Sequence, residues 1–187
     1  MSTPAPSAPT SAEVSERIES RWATVMVALV VMLLAIVVYT GVHWAAMPPS
    51  RVEVVNADTL HLTGEFIESN LGTGIDPRGN VTVHMLAEQY AFHPHCVVVP
   101  DGVPVTFRAT SGDVVHGFLI IGTNVNSMLV PGYVSTFITT FNGVGERTMP
   151  CHEFCGVGHA AMWAKVKVVP LATLEEMARK SRRLSCV

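Results

Sequence analysis

The chain of 187 residues is 49% hydrophobic and only 14% charged, with a mean hydropathy of +0.37, too apolar for a disordered tail or an ordinary soluble domain, so part of it meets lipid. Its length leaves room for one domain of about 100–150 residues plus an appendage and excludes a large multidomain enzyme. A formal net charge of −3 offers no basic field to a polyphosphate, which sets nucleic-acid binding aside.

Residues 1–12, rich in Pro, Ser, Thr and Ala, hold no charge and no bulky apolar side chain beyond the initiating Met, and read as a disordered leader. Glu13 to Arg21 is charged and helix-compatible, and residues 1–21 together form the cytoplasmic segment. Trp22 to Trp44 then runs 23 residues without Asp, Glu, Lys, Arg or Pro, enough at about 1.5 Å per residue to span a hydrocarbon core of about 30 Å. Trp22, Tyr39 and Trp44 suit interfacial belts, and Arg17 and Arg21 put the N-terminus on the cytoplasmic side. A cleaved signal peptide is the alternative, but this stretch exceeds the usual apolar signal core.

Residues 45–80 read as a linker with N-terminal strands, opened by the stiff Met47-Pro48-Pro49-Ser50. Strand-like runs follow at Val52–Val55, Leu60–Leu62, Val81–Leu86, Val97–Val99, Val103–Phe107, Val114–Ile121, Val134–Phe141 and Ala164–Val169. Turn signals separate them, among them Gly72-Thr-Gly74, Asp76-Pro77-Arg-Gly79, Pro131-Gly132 and Asn142-Gly143, which predicts an all-β sandwich or barrel over residues 81–170. Between Arg51 and Pro170 there are ten acidic and six basic side chains, a local net of −4 that suits either a basic partner or a plain solvated surface. Residues 171–187 form a short basic helical tail, with Thr173-Leu-Glu-Glu176 as a capping box.

The chemistry concentrates in Cys151-His-Glu153-Phe-Cys155-Gly-Val-Gly-His159-Ala-Ala-Met162. Thiolates, an imidazole and a thioether form a soft set that selects copper over hard ions. His116 lies 35 residues upstream at the end of a strand-like run and supplies a second imidazole. A mononuclear blue-copper site needs one Cys, so a second thiolate on the same loop points to a dinuclear centre.

These residues, preceded by Asp113-Val-Val-His116, resemble the CuA domain of subunit II of the haem-copper oxygen reductases, which includes cytochrome c oxidase. The resemblance runs from Val81 to Val169 and takes in Gln89-Tyr90-Ala-Phe92-His-Pro94, where that family has an aromatic stretch. A single membrane helix is similar to the short subunit II of ba-type oxidases. The resemblance implies a cupredoxin-like Greek-key fold behind one transmembrane helix, with the copper domain on the periplasmic side. It implies that Cys151 and Cys155 bridge two copper ions, that His116 and His159 each bind one, and that Met162 and the Glu153 carbonyl complete the set. It also implies electron entry from a c-type cytochrome and onward transfer to haem in subunit I. In parts of the family the carboxylate at the Glu153 position reaches magnesium or manganese at the subunit I interface. Tyr90 and Phe92 stand where an aromatic ring helps receive the electron, although a core role is open to both. Asp113 either supports His116 or closes a turn after Gly112.

Among the other histidines, His93 and His95 flank Pro94 as a second metal site or solvated loop groups, while His61 and His84 read as packing residues and His43 and His152 carry no assigned role. Cys96 reads as a buried thiol without a partner, and Cys186 as a residue outside the ordered domain. Three rivals stay open: a Cys2His2 zinc site on Cys151, Cys155, His116 and His159, a Cys151–Cys155 disulfide, and a copper chaperone.

Overall fold

The computed structural model describes residues 10–43 and 52–186, and the chain divides after residue 50 into a helical unit and a β unit. Residues 1–9 of the expected leader, Trp44 and the Met47–Ser50 exit lie outside the described residues.

Helix α1 (Ser11–His43) has 33 residues and is about 50 Å long. It is the one helix among the described residues long and apolar enough to cross a membrane. It begins ahead of the apolar run, so residues 11–21 are helical. The reason is local: Thr10 Oγ1 accepts the Glu13 amide at 3.3 Å while Glu13 Oε2 accepts the Thr10 amide at 2.7 Å, a reciprocal capping box that satisfies two otherwise orphaned donors.

The β unit contains β1 (Gly72–Ile75), β2 (Val81–Glu88), β3 (Ala91–His93), β4 (Cys96–Pro100), β5 (Pro104–Ser111), β6 (His116–Leu119), β7 (Asn126–Leu129), β8 (Ser135–Thr140), β9 (Gly145–Pro150) and β10 (Trp163–Val169). One sheet is ordered β1-β2-β5-β8 with β3 on β2, a second is β4-β10-β9, and β6-β7 is a separate hairpin. The β2–β5 and β4–β10 pairs are parallel. Alternate residues of the two sheets meet in one core, where Phe107 stands within about 6 Å of Phe118, Phe137 and Phe141. The observed class is mostly β, with the cupredoxin-like layering that the resemblance implies.

Several expectations need correction. Val52–Val55 and Leu60–Leu62 are not strands: Val54 makes a single bridge to Tyr133, and Ala57–Thr59 is a 3-10 turn whose cap, Asn56, accepts the Asp58 amide at 3.0 Å. The segment instead drapes Leu60 and Phe66 over Leu86, burying the second face of β2. Gly72-Thr-Gly74 lies in β1, because Thr73 pairs with β2 on one side and with Leu184 on the other. Helix α2 (Leu171–Lys180) starts ahead of the predicted box, since the Thr173 and Leu174 amides bond to the Pro170 carbonyl and leave Thr173 inside the first turn.

The cysteines outside the copper-type motif are also corrected: Cys96 and Cys186 form a disulfide with Cα atoms 5.2 Å apart. The C-terminal segment makes this possible by bridging Thr73 through Leu184 and Val97 through Ser185.

On the outer face of the first sheet, His84 and Arg108 are register partners, and both bond to Glu65; His84 Nε2 lies 2.8 Å from Glu65 Oε1. His84 is therefore buried, as expected, but hydrogen-bonded to Glu65 rather than only packed. His61 is not a packing residue; its ring is about half exposed and rests on Glu88. Burial, with the Arg183 and Arg108 charges, outweighs Glu65 and holds the His84 imidazole below its usual range. For Glu65, burial opposes ionisation, but Arg108 and His84 hold the carboxyl below its usual range. The unfolded chain then binds a proton at His84 that the folded chain refuses, so this residue removes stability as pH falls below about 6.5. Glu65 adds a further loss only below about 4.5. Denaturant midpoints measured between about pH 7 and pH 5 should fall less steeply for His84→Gln than for the unaltered protein; parallel slopes would exclude His84 as the source.

Candidate metal centre

The site is assembled where three chain segments meet at one end of the sandwich. β5 ends in Ser111, whose hydroxyl donates to the Val114 carbonyl at 2.5 Å and tightens the turn that carries Asp113. Asp113 does more than close the turn. Its Oδ1 lies 2.8 Å from His116 Nε2 and its Oδ2 accepts the Gln89 amide at 2.6 Å. Burial opposes ionisation of this carboxyl, but the bonds from His116, Gln89 and Val114 prevail and hold it below the usual carboxylate range. With the Nε2 proton donated to Asp113, Nδ1 is left as a free lone pair. That Nδ1 faces Cys151 Sγ at 3.8 Å, and the His116 side chain is fully buried.

The second segment is the loop from Cys151 to Met162. Its ends are closed by the Cys151 amide on the Met162 carbonyl at 3.0 Å, and His152 donates to the Gly117 carbonyl at 3.2 Å. Inside it, the two sulfurs stand 3.8 Å apart. Cys151 Sγ is 3.2 Å from the Glu153 carbonyl, and Cys155 Sγ is 3.7 Å from both His159 Nδ1 and Met162 Sδ. Each sulfur therefore has its own imidazole and its own weak donor. Burial and the neighbouring Cys151 push the Cys155 thiol up to about 11, so metal uptake here displaces protons.

A sulfur separation of 3.8 Å is far outside the bond length of about 2.05 Å, and both cysteines are free, so the disulfide rival fails. Among the described residues, the donors that lie mutually within 4.8 Å are those of His116, Cys151 and Cys155. His159 falls outside that set, so the four donors do not converge on one tetrahedral ion.

The third segment is the turn between β2 and β3. Gln89 Nε2 donates to the Cys155 carbonyl at 2.5 Å, a contact not read from the sequence, where Gln89 is only part of an aromatic stretch. Tyr90, 39% exposed, lies flat on the loop glycines: a Cβ at Gly158 would sit 2.5 Å from its ring. Phe92 is corrected. It is fully buried and meets Phe118 edge-on at 5.7 Å, so it offers nothing to an incoming protein. The two rings part because Tyr90 occupies the turn while Phe92 belongs to β3.

Gly117 is the other residue not singled out in the sequence. A Cβ there would lie 2.4 Å from the His152 carbonyl carbon and 2.5 Å from the Glu153 amide, both main-chain atoms that cannot step aside. Gly117→Ala should push the loop away from His116, cost about 1–3 kcal/mol of stability and weaken copper binding. Unchanged copper stoichiometry and unfolding midpoint would contradict this placement.

Residues 83–169 match the family described as cytochrome C oxidase subunit II, periplasmic domain. The chain is 32% identical over 152 residues to a cytochrome c oxidase subunit 2 of Thermus thermophilus, spanning 80% of this chain and 90% of that one. A second Thermus thermophilus subunit 2 is 34% identical over 122 residues, covering 65% of this chain and 90% of the other. Among solved structures, a chain of a heme-copper terminal oxidase dimer superposes with a TM-score of 0.54 at 28% identity, covering 81% of this chain and 99% of that one. By this identity and coverage the chain belongs to the cytochrome c oxidase subunit II family of the haem-copper oxidases.

Proposed function

We propose that this chain is the electron-entry subunit of its oxidase, taking electrons from a c-type cytochrome and handing them to haem in subunit I, where oxygen is reduced. The observation that carries this reading is the paired donor set: two sulfurs 3.8 Å apart, each with a separate imidazole and a separate weak donor. Cys151, Cys155, His116, His159, Met162 and the Glu153 carbonyl would hold a copper pair, and that pair would supply a reversible one-electron carrier.

The chain's own residues do the remaining work. Asp113 fixes the tautomer and direction of His116. Gln89, Gly117 and the closed ends of the loop hold the sulfurs in place, which keeps rearrangement small when charge is gained or lost. Burial of Met162, Cys151, Cys155 and His116 keeps water from most of the donor set, with His159 at its part-exposed edge. It also favours a resident metal over the exposed ligands of a chaperone. Phe154 and Val157 are exposed at 74% and 99% and, with Tyr90, give the donor an apolar landing place over the loop. Helix α1 serves as the anchor, with Arg17 and Arg21 on the cytoplasmic side and the β unit on the periplasmic side.

Metal analysis with optical and EPR spectra of the full chain in detergent tests the reading. Two copper ions per chain and a hyperfine pattern with more lines than one copper nucleus can produce are expected. One zinc ion per chain, or a single-copper pattern, would overturn it.

A further inference from the structure

On the outer face of the first sheet, two guanidinium groups and an imidazole with one unsatisfied nitrogen border the same cavity. Its place follows from the strand register. Gly72 and Gly74 of β1 pair with His84 and Thr82 of β2, and alternate residues of a strand share a face, so β1 is bare where β2 presents a hydroxyl and an imidazole. The C-terminal segment fills part of that gap. Leu184 and Thr73 exchange main-chain bonds of 2.9 Å, and the Cys96–Cys186 bond fastens the residues beyond. Arg183 is thereby laid over Gly74, where a Cβ would overlap Nη1. Between these groups lies a cavity of about 260 Å3, lined also by Arg182 and Asp76.

The wall is net positive. Among the described residues neither Arg182 nor Arg183 is in an ion pair; Arg183 gives Nε, at 3.0 Å, and Nη2 to the Asn70 side-chain oxygen. The Asp76 carboxylate is spent on the Arg78 amide and on Asn80, so one carboxylate stands against two guanidinium groups. His84 is 8% exposed, and its Nδ1 is the one buried side-chain nitrogen or oxygen among the described residues with no hydrogen-bond partner. Since Nε2 donates to the ionised Glu65 at 2.8 Å, Nδ1 holds a lone pair and can only accept. A buried acceptor left unpaired is costly. A ligand that suits this wall therefore carries charged oxygens for the guanidinium groups and a hydroxyl for Nδ1. Phosphate has both at neutral pH, because it keeps a P–OH beside its charged oxygens, whereas sulfate has the same shape and no hydroxyl. The cavity is smaller than the about 300–1,000 Å3 of sites for drug-sized ligands, which suits a small ion.

We infer that Arg182, Arg183, Thr82 and His84 form a binding site for a protonated phosphate, free or as a terminal monoester, whose charged oxygens meet the guanidinium groups and whose P–OH donates to His84 Nδ1. The inference rests on no part of the copper reading, since none of these residues belongs to the motif loop. Calorimetric titration of the full chain in detergent, in chloride buffer free of other oxyanions, compares inorganic phosphate, glycerol 3-phosphate, sulfate and dimethyl phosphate. One phosphate or one monoester per chain is expected, the tighter of the two naming the source. Sulfate and the diester, which lack the hydroxyl, should bind about 10–100-fold more weakly, the cost of leaving a buried acceptor unpaired. Phosphate should also raise the unfolding temperature by mass action on the folded state. Arg182→Ala, at an exposed position, should weaken phosphate about 10-fold, and His84→Phe should bind phosphate and sulfate alike. Where His84→Phe fails to fold, the phosphate-to-sulfate ratio of the unaltered chain carries the same test. Equal affinity of the unaltered chain for phosphate and sulfate, phosphate binding unmoved by Arg182→Ala, or neither heat nor a shift in unfolding temperature with phosphate would overturn the site and leave the cavity to water.

Discussion

Replacing Cys151 or Cys155 by serine is expected to abolish the copper pair, whereas Met162→Leu keeps copper bound and shifts its potential. The difference follows from position. Each cysteine sulfur is the nearest common neighbour of one imidazole and of the other sulfur, so losing either thiolate would remove a shared donor and a charge together. Met162 Sδ touches only the Cys155 side, at 3.7 Å, and leucine keeps its volume in a fully buried pocket. The fold should survive both changes. A serine at 151 retains a hydroxyl beside the Glu153 carbonyl, now 3.2 Å from sulfur, so the metal-free domain should lose no more than about 1–2 kcal/mol. Turnover with a c-type donor should drop to background in the serine variants and only partly in Met162→Leu. Full copper retention in both serine variants, read by metal analysis on folded protein, would remove the dinuclear assignment.

Much of this centre is legible in the sequence because its donors are local. Five of the six lie between Cys151 and Met162 on one loop, and the sixth, His116, stands out at the end of a β-branched run. What is not legible depends on residues far apart in the chain. Gln89 reaches the Cys155 carbonyl across 66 positions, and a glutamine has no composition signal for such a bond. Gly117 is read correctly only when His152 and Glu153 are seen above it. Tyr90 and Phe92 invite one reading because alternate residues of a strand share a face; a turn at Tyr90 breaks that rule. The membrane helix is legible by length, but its true start is set by a Thr10–Glu13 box ahead of the apolar run. The segment 52–71 misleads for a different reason. Its valines and leucines carry strand propensity, yet burial of Leu60 and Phe66 against β2 is worth more than a short, weakly paired strand.

The Cys96–Cys186 bond is invisible in the sequence for the plainest reason: its cysteines are 90 residues apart, and spacing alone carries no pairing information. Its removal has the second large expected effect. Closing a loop of that size limits the unfolded chain by about 4–5 kcal/mol in the chain-entropy account, with about 2–5 kcal/mol typical of native bonds. The bond also fastens a segment that joins both sheets, since Leu184 pairs with Thr73 beside β1 and Cys186 donates its amide to the Cys96 carbonyl at 3.1 Å. Cys96→Ser/Cys186→Ser should therefore lower the unfolding temperature by on the order of 10 °C and expose the C-terminal segment to proteolysis. The copper spectrum should be unchanged in the folded fraction, because the motif loop is closed by its own hydrogen bonds between Cys151 and Met162. Calorimetry of the unaltered chain with and without reductant gives the same comparison without mutation, read on metal-free protein so that reduction of copper plays no part. An unfolding temperature indifferent to both treatments would mean that the main-chain pairing of Leu184 and Ser185 holds the C-terminus unaided; a loss of copper binding in step with the disulfide would mean that the seam and the metal loop fold as one unit.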